Sequence, residues 1–241
     1  MQNHFPYDDI MFSTDVQQNI SEVDRRIRAA EQAAGRHTGS VALLAVSKTK
    51  PAEMLREAWQ HGQREFGENY LQEALDKQAA LEDLDGIVWH FIGPLQSNKT
   101  RAVAEQFAWV HSVDRLKIAK RLSEQRPLYL KPLNVCIQIN LSEEDTKSGT
   151  TITQAADLCA LTDSLENIRL RGLMAIPAPT DNREAQRENF IALSRLFDEL
   201  KSKHPSMDTL SMGMSNDYGR AILQGSTMIR LGTALFGPRP S

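Results

Sequence analysis

Apolar positions along this chain fall into two alternating kinds of segment. One kind is short, apolar on both faces and rich in strand formers; the run Val41-Ala42-Leu43-Leu44-Ala45-Val46 is the first of them. Similar runs recur at 64–69, 87–93, 109–114, 133–141, 168–176, 209–214 and 227–236. Between them the apolar residues take helical spacing, at 51–61, 69–81, 99–107, 115–125, 152–164 and 183–203. Runs apolar on both faces belong in a parallel sheet covered on both sides. Ahead of the first run, Ser13-Thr14-Asp15 caps a helix with Val16, Ile20, Val23, Ile27 and Ala30 on one face and Gly35 as its stop. Glu22, Asp24, Arg25, Arg26 and Arg28 form its wet face, which reads as a solvated surface in preference to a binding patch. Eight strands spaced by roughly twenty to forty residues are what βα units require. They close most naturally into a single (β/α)8 barrel, with a doubly wound open sheet as the alternative, because periodicity cannot show closure. Residues 1–13 read as a flexible leader and 14–241 as one domain.

Composition narrows the partners. The 241 residues carry a net charge of -3 with 24% charged residues and no basic block, which argues against nucleic acid as the main partner. Cys136 and Cys159 lie in apolar settings without CxxC spacing, so a reduced, cytoplasmic protein without a metal site is expected. The N-terminus lacks a basic segment followed by an apolar one, and no apolar run approaches the ~18 residues of a membrane span.

In a (β/α)8 barrel, chemistry collects where strands run into their helices. The first strand delivers Lys48 there, at the end of the stripe Ala42, Leu44, Val46. Taken alone, this lysine has two readings: a desolvated amine able to attack a carbonyl, or a strand end fraying into solvent. The second strand leads to Asn69, at a helix start where capping is the ordinary task, and the third carries His90 between Trp89 and Phe91. After strands seven and eight, Ser211, Gly213, Ser215, Gly232 and Thr233 could close backbone N–H groups and hydroxyls around an oxyanion. Arg230 shares a strand face with Met228 and Gly232, where an apolar side chain would be cheaper, so it needs an acceptor. A lysine, an anion cup and an arginine at one mouth suit pyridoxal 5'-phosphate, which needs an amine, phosphate donors and a partner for its ring nitrogen. An arginine as that partner leaves the ring unprotonated and carbanion chemistry weak.

The motifs Leu44-Ala45-Val46-Ser47-Lys48-Thr49-Lys50, Phe66-Gly67-Glu68-Asn69-Tyr70, Trp89-His90-Phe91-Ile92-Gly93-Pro94-Leu95-Gln96-Ser97-Asn98-Lys99, Arg171-Gly172-Leu173-Met174, Ser211-Met212-Gly213-Met214-Ser215 and Arg230-Leu231-Gly232-Thr233 resemble the pyridoxal phosphate homeostasis proteins. The resemblance extends over nearly everything from residue 14 onward. It implies a barrel of the alanine racemase N-terminal type (fold type III) with an extra N-terminal helix. It also implies a cofactor imine at Lys48, phosphate contacts from Ser215, Gly232, Thr233 and Ser211, and Arg230 at the ring nitrogen. Asn69 and His90 match positions lining the pocket, Met174 one that could touch the ring, and Lys147 a lysine suggested to hand the cofactor on.

The racemase relatives carry a second, all-β domain with a tyrosine that serves as the opposite-face acid. Here the sequence ends at Ser241, and Tyr7, Tyr70, Tyr129 and Tyr218 offer no such domain. Racemisation needs proton transfer on both faces. The expectation is therefore a protein that stores, buffers or delivers pyridoxal phosphate in vitamin B6 homeostasis, with apo-enzymes as recipients and a monomeric state. An amino-acid racemase is the alternative, with Tyr70 or a second subunit as proton donor. A sugar-phosphate barrel enzyme using Lys48 in an aldolase-type reaction is a third reading.

Overall fold

The computed structural model describes residues 15–141, 148–177 and 182–238. Eight strands, β1 (Ala42–Val46), β2 (Glu65–Glu68), β3 (Val88–Phe91), β4 (Trp109–Val113), β5 (Leu133–Ile139), β6 (Ile168–Ala175), β7 (Thr209–Ser211) and β8 (Met228–Leu231), pair in parallel and in sequence order. Strand β8 pairs back onto β1, with Leu44 opposite Arg230 and Ala45 opposite Leu231. The sheet is a closed barrel, so the open-sheet alternative falls.

Helix α1 (Val16–Ala33) precedes the barrel, and α2 (Ala52–Gln60), α3 (Leu71–Ala80), α4 (Thr100–Gln106), α5 (Leu116–Gln125), α6 (Ile152–Asp163), α7 (Arg183–Lys203), α8 (Tyr218–Leu223) and α9 (Thr233–Phe236) follow the strands in turn. Asp15 caps α1 by accepting from Gln18 N, and Val16, Val23, Ile27 and Ala30 are buried as the spacing predicts. On the wet face Arg25 and Arg26 pair with Glu22, and Arg28 with Asp24 and Glu31, which supports the solvated reading. Glu31 is nonetheless fully buried, accepting from the backbone N–H groups of Gly39 and Val41 and so tying α1 to the start of β1. Helix α1 packs against α2, α8 and α9. It thus fills the outer-layer place that a four-residue α9 cannot cover.

Residues alternate between the helix-facing layer and the barrel interior. Ala45, Phe66, Ile229 and Leu231 join Val23, Ile27, Leu55 and Ile222 outside the sheet. On the opposite face Trp109, Cys136 and Met174 form a separate interior cluster. Burial of each large aliphatic or aromatic side chain contributes about 1.5–3 kcal/mol. A Cβ at Gly172 would lie 1.7 Å from the Thr209 carbonyl oxygen, so β6 and β7 approach closely only because that side chain is missing. The two cysteines are free and buried, and burial pushes the Cys159 thiol up to about 12 and the Cys136 thiol higher still.

Elements are mostly trimmed at their ends, β7 to Thr209–Ser211, and two boundaries change a reading. The run 227–236 is strand only to Leu231; from Thr233 to Phe236 it is helix, with Ala234, Leu235 and Phe236 buried. A short apolar run cannot distinguish strand from buried helix, and Gly232 makes the break. Helix α3 starts at Leu71 with Tyr70 in the cap position and no side-chain cap bond, so Asn69 is not its cap.

Candidate functional site

Strand β1 ends in a turn, Ser47 to Lys50, closed by Lys50 N donating to the Ser47 carbonyl at 3.0 Å. Lys48 is half-buried in this turn, directly after the barrel strand. Thr49 has φ 64 and is the one non-glycine residue with positive φ among those described. A type II turn demands that conformation at its third residue and prefers glycine there; threonine in its place costs on the order of 1 kcal/mol. The lysine therefore sits on a strained backbone, and the strain needs holding. Lys50, next along, is buried and donates to the carbonyls of Phe236 at 2.9 Å and Pro238 at 2.6 Å. That contact fastens the end of α9 to the β1 turn.

Arg230 points into the barrel and is 4% exposed. The acceptors it needed on sequence grounds are the Ser211 carbonyl and Ser211 Oγ, both 2.8 Å from Nη1, and the Ala175 carbonyl, 2.9 Å from Nη2. Burial lowers its pKa to about 10, with Asp217 and Cys136 opposing, so it stays charged at neutral pH. Ser211 is fully buried and engaged by the arginine. It holds Arg230 through its carbonyl and its hydroxyl oxygen, and the hydroxyl keeps its own O–H to donate.

Beside Arg230 the ends of β7 and β8 form the cup. Gly213 has φ 98, and a Cβ there would meet Ala221 Cβ at 2.7 Å. Its carbonyl accepts from Arg230 N. The loop carrying Ser215 is pinned by Asp217, which accepts from Met214 N at 2.6 Å and from Gln186 Nε2 at 3.2 Å. Burial raises the Asp217 pKa, opposed by the Met214 N–H and by Arg230 and Arg220. Ser215 is half-buried and Thr233 exposed at the mouth. Gly232 lies against Val46, where a Cβ would come within 3.1 Å of the Val46 carbonyl oxygen. The first turns of α8 and α9 leave backbone N–H groups without intrahelical acceptors. Lys48, Arg230, Ser215, Gly232 and Thr233 are thus carried by the adjacent ends of β7, β8 and β1.

His90 is fully buried inside the barrel and stacked on Trp109 at 5.3 Å between centroids. Its Nε2 donates to Glu65 Oε2, which can only accept as a carboxylate. That leaves His90 Nδ1 to accept from His111 Nε2, 2.9 Å away. His111 Nδ1 then remains an acceptor with no partner among the described residues. Neither Glu65 nor His111 carried a role in the sequence reading, because the column forms only when β2, β3 and β4 are side by side. Both imidazoles are held below their ordinary pKa of 6.5, His90 by burial against the pull of Glu65, and His111 by burial, His90 and Arg230.

This column makes the fold acid-sensitive in a defined direction. Above pH 6.5 each histidine is neutral whether folded or unfolded, and its contribution is constant. Below it the unfolded chain binds protons that the folded chain refuses, so stability falls with pH, by up to about 1.4 kcal/mol per unit per histidine. In His111→Gln, the slope of unfolding free energy against pH between roughly 6 and 5 should be shallower than wild type by about 1 kcal/mol per unit. Urea titrations giving equal slopes would show that His111 is charged in the folded protein.

The remaining expected positions fall as follows. Asn69 lies at the end of β2 with Oδ1 buried and unpartnered among the described residues. Its backbone abuts Gly93, where a Cβ would fall 2.2 Å from the Asn69 carbonyl oxygen. Met174 is fully buried against Trp109 and Cys136 in the interior. Lys147 lies outside the described residues. No group of three or more metal-binding side chains occurs among the described residues, and no helix there is long and apolar enough to cross a membrane.

The closed barrel and its β7–β8–β1 mouth define a class. Residues 19–240 match the family model described as alanine racemase, N-terminal domain. An alanine racemase of Corynebacterium glutamicum superposes with a TM-score of 0.67 at 19% identity, over 92% of this chain and 62% of that one, a likeness of fold alone. The chain is 59% identical over 224 residues to the pyridoxal phosphate homeostasis protein of Pseudomonas aeruginosa, covering 93% of this chain and 96% of the relative. It is 52% identical over 227 residues to that of Escherichia coli K12, covering 93% and 97%. PipY of Synechococcus elongatus, solved with PLP bound, superposes with a TM-score of 0.80 at 34% identity over 92% of this chain and 100% of that one. This chain belongs to the pyridoxal phosphate homeostasis protein family.

Proposed function

We propose that this protein binds pyridoxal 5'-phosphate at the mouth formed by β7, β8 and β1, and carries, buffers or delivers it in intracellular vitamin B6 homeostasis. The observation that carries the reading is the convergence there of a turn-borne lysine, a buried charged arginine and a cup of small residues. PipY with its bound PLP supports it from a related barrel. The residues present fit the group: Gly213 and Gly232 let the strand ends that carry the cup pack closely on α8 and β1, where a Cβ would collide, and Asn69 Oδ1 offers an unmatched buried acceptor.

When bound, pyridoxal phosphate supplies an aldehyde carbon that is electrophilic toward amines. Lys48 Nζ is the amine that would meet this chemistry, and a C=N bond formed there would release one water. Ser215, Gly232 and Thr233 bind the phosphate through hydroxyl and backbone donors. Arg230, charged at neutral pH and held by Ser211 and Ala175, would face the ring nitrogen as a donor and could not accept a proton from it. A ring nitrogen that meets only a donor stays unprotonated, which disfavours the carbanion chemistry of a racemase and favours holding over turnover. Lys147 is a second candidate for passing the cofactor to recipient enzymes.

Apo-protein mixed with pyridoxal phosphate should develop a visible band that borohydride bleaches, and peptide mass spectrometry should find the reduced adduct on Lys48. The same holoprotein given L-alanine or L-serine should form no D-isomer above background. Sustained D-isomer turnover would replace the carrier reading by the racemase one. A colourless protein without adduct would point to the sugar-phosphate reading.

A further inference from the structure

We infer that Glu73, Lys77 and Glu68 are positioning residues for Lys48, holding its turn by the peptide groups on either side. Before Lys48, the Ser47 carbonyl accepts from Lys77 Nζ at 2.6 Å. After it, Thr49 N donates to Glu73 Oε1. The two clamps are one cluster. Lys77 Nζ also donates to Glu68 Oε1 at 2.7 Å and to Glu73 Oε1 at 2.6 Å, and Ser47 Oγ donates to Glu68 Oε1 at 2.6 Å. Lys77 and Glu68 side chains are 6% and 0% exposed, so an ammonium and a carboxylate lie in the layer between barrel and helices.

Such a pair is weak evidence for stability, because desolvation offsets most of the attraction, and apolar residues of similar volume would serve as well. Glu68 Oε2 even lacks a partner among the described residues. Lys50 N already donates to the Ser47 carbonyl; what apolar residues could not supply is the second donor to that carbonyl and an acceptor for the Thr49 N–H. Those are the groups that keep Thr49 at φ 64 and hence fix where the Lys48 side chain leaves the backbone. The neighbouring ammonium, Lys50 Nζ, is occupied with the carbonyls of Phe236 and Pro238 and lies outside this cluster. The cluster is thus built around the turn.

The role of Lys48 in this inference rests on the function proposed above; the clamping of the turn does not. The test uses the full chain as Glu73→Ala, Glu73→Gln and Lys77→Met. In apo-protein, hydrogen exchange at the Thr49 amide should quicken about tenfold in Glu73→Ala and Lys77→Met, the factor carried by one lost charge-assisted hydrogen bond. Exchange at Phe66 in β2 should stay at the wild-type rate. Glu73→Gln keeps an oxygen for the Thr49 N–H and should restore slow exchange. With pyridoxal phosphate added, the rate at which borohydride traps it on Lys48 should fall about tenfold in the same two variants and recover in Glu73→Gln. Unchanged Thr49 exchange in Glu73→Ala overturns the inference, as does faster exchange with an unaltered trapping rate. Should Lys77→Met not fold, the two Glu73 variants, altering a side chain 28% exposed, decide the matter. If wild-type protein traps nothing on Lys48, the proposed function fails, and the exchange experiment alone judges the clamp.

Discussion

Lys48→Ala should abolish borohydride-stable attachment of pyridoxal phosphate and leave the fold intact. Two other lysines flank the same turn, and neither can take over. Lys50 Nζ is held by the carbonyls of Phe236 and Pro238. Lys77 Nζ is held by Ser47, Glu68 and Glu73 on the helix side of the sheet. An ammonium held by several acceptors is a poor nucleophile, since attack requires a free lone pair. The cup and Arg230 are untouched by the substitution, so reversible binding should persist, weaker and insensitive to borohydride. Lys48 is half-buried at a strand end, and its truncation should change stability by less than about 1 kcal/mol. Intact-protein mass spectrometry after reduction, with a thermal melt of the apo-protein, checks both halves. A reduced adduct on another lysine at wild-type yield would show that the amine has been misassigned.

Arg230→Ala should have two effects that Lys48→Ala does not combine. Without the guanidinium, the Ser211 and Ala175 carbonyls lose donors inside the barrel. A buried group left unpaired costs about 1–3 kcal/mol. Two such groups, with the void left by the side chain, put the loss at about 3–5 kcal/mol, a large share of the ~5–15 kcal/mol that holds a domain folded. Urea unfolding of apo-protein should show this loss before any ligand is added. Arg230→Lys should lose less, since one ammonium can still reach an acceptor but cannot reproduce the planar fork. In whatever fraction stays folded, affinity for pyridoxal phosphate should fall and the visible band should shift, the result expected of the donor proposed for the ring nitrogen. Apo-protein as stable as wild type would mean that the arginine is not part of the barrel's internal bonding.

Arg230 and Ser211 show how far linear reading reaches. A guanidinium on an apolar strand face announces a need for acceptors, and that much is visible from Met228 and Gly232 around it. Which acceptors answer is set by β6 and β7 lying beside β8. For that reason the hold of Ser211 on the arginine is invisible along the chain, where Ser211 reads only as one of the small residues of the cup. Asn69 is similar. Its position before an apolar helix suggested capping, but the helix starts later, and its side chain is left with an unmatched oxygen.

The eight apolar runs, their helical spacers, the capped first helix and the lysine at the end of β1 are consequences of local periodicity and turn chemistry. Both depend on residues a few positions apart, and the chain therefore carries them openly. Closure of the barrel, the Glu65–His90–His111 column and the clamp on the Lys48 turn each join residues on different elements, from 21 positions apart for His90 and His111 to 186 for Ala42 and Met228. Their energies come from burial and from the matching of donors with acceptors across strands, and no spacing along a single segment encodes those. The chemistry at the mouth could be named from the residues, but its geometry came into being only when β8 met β1.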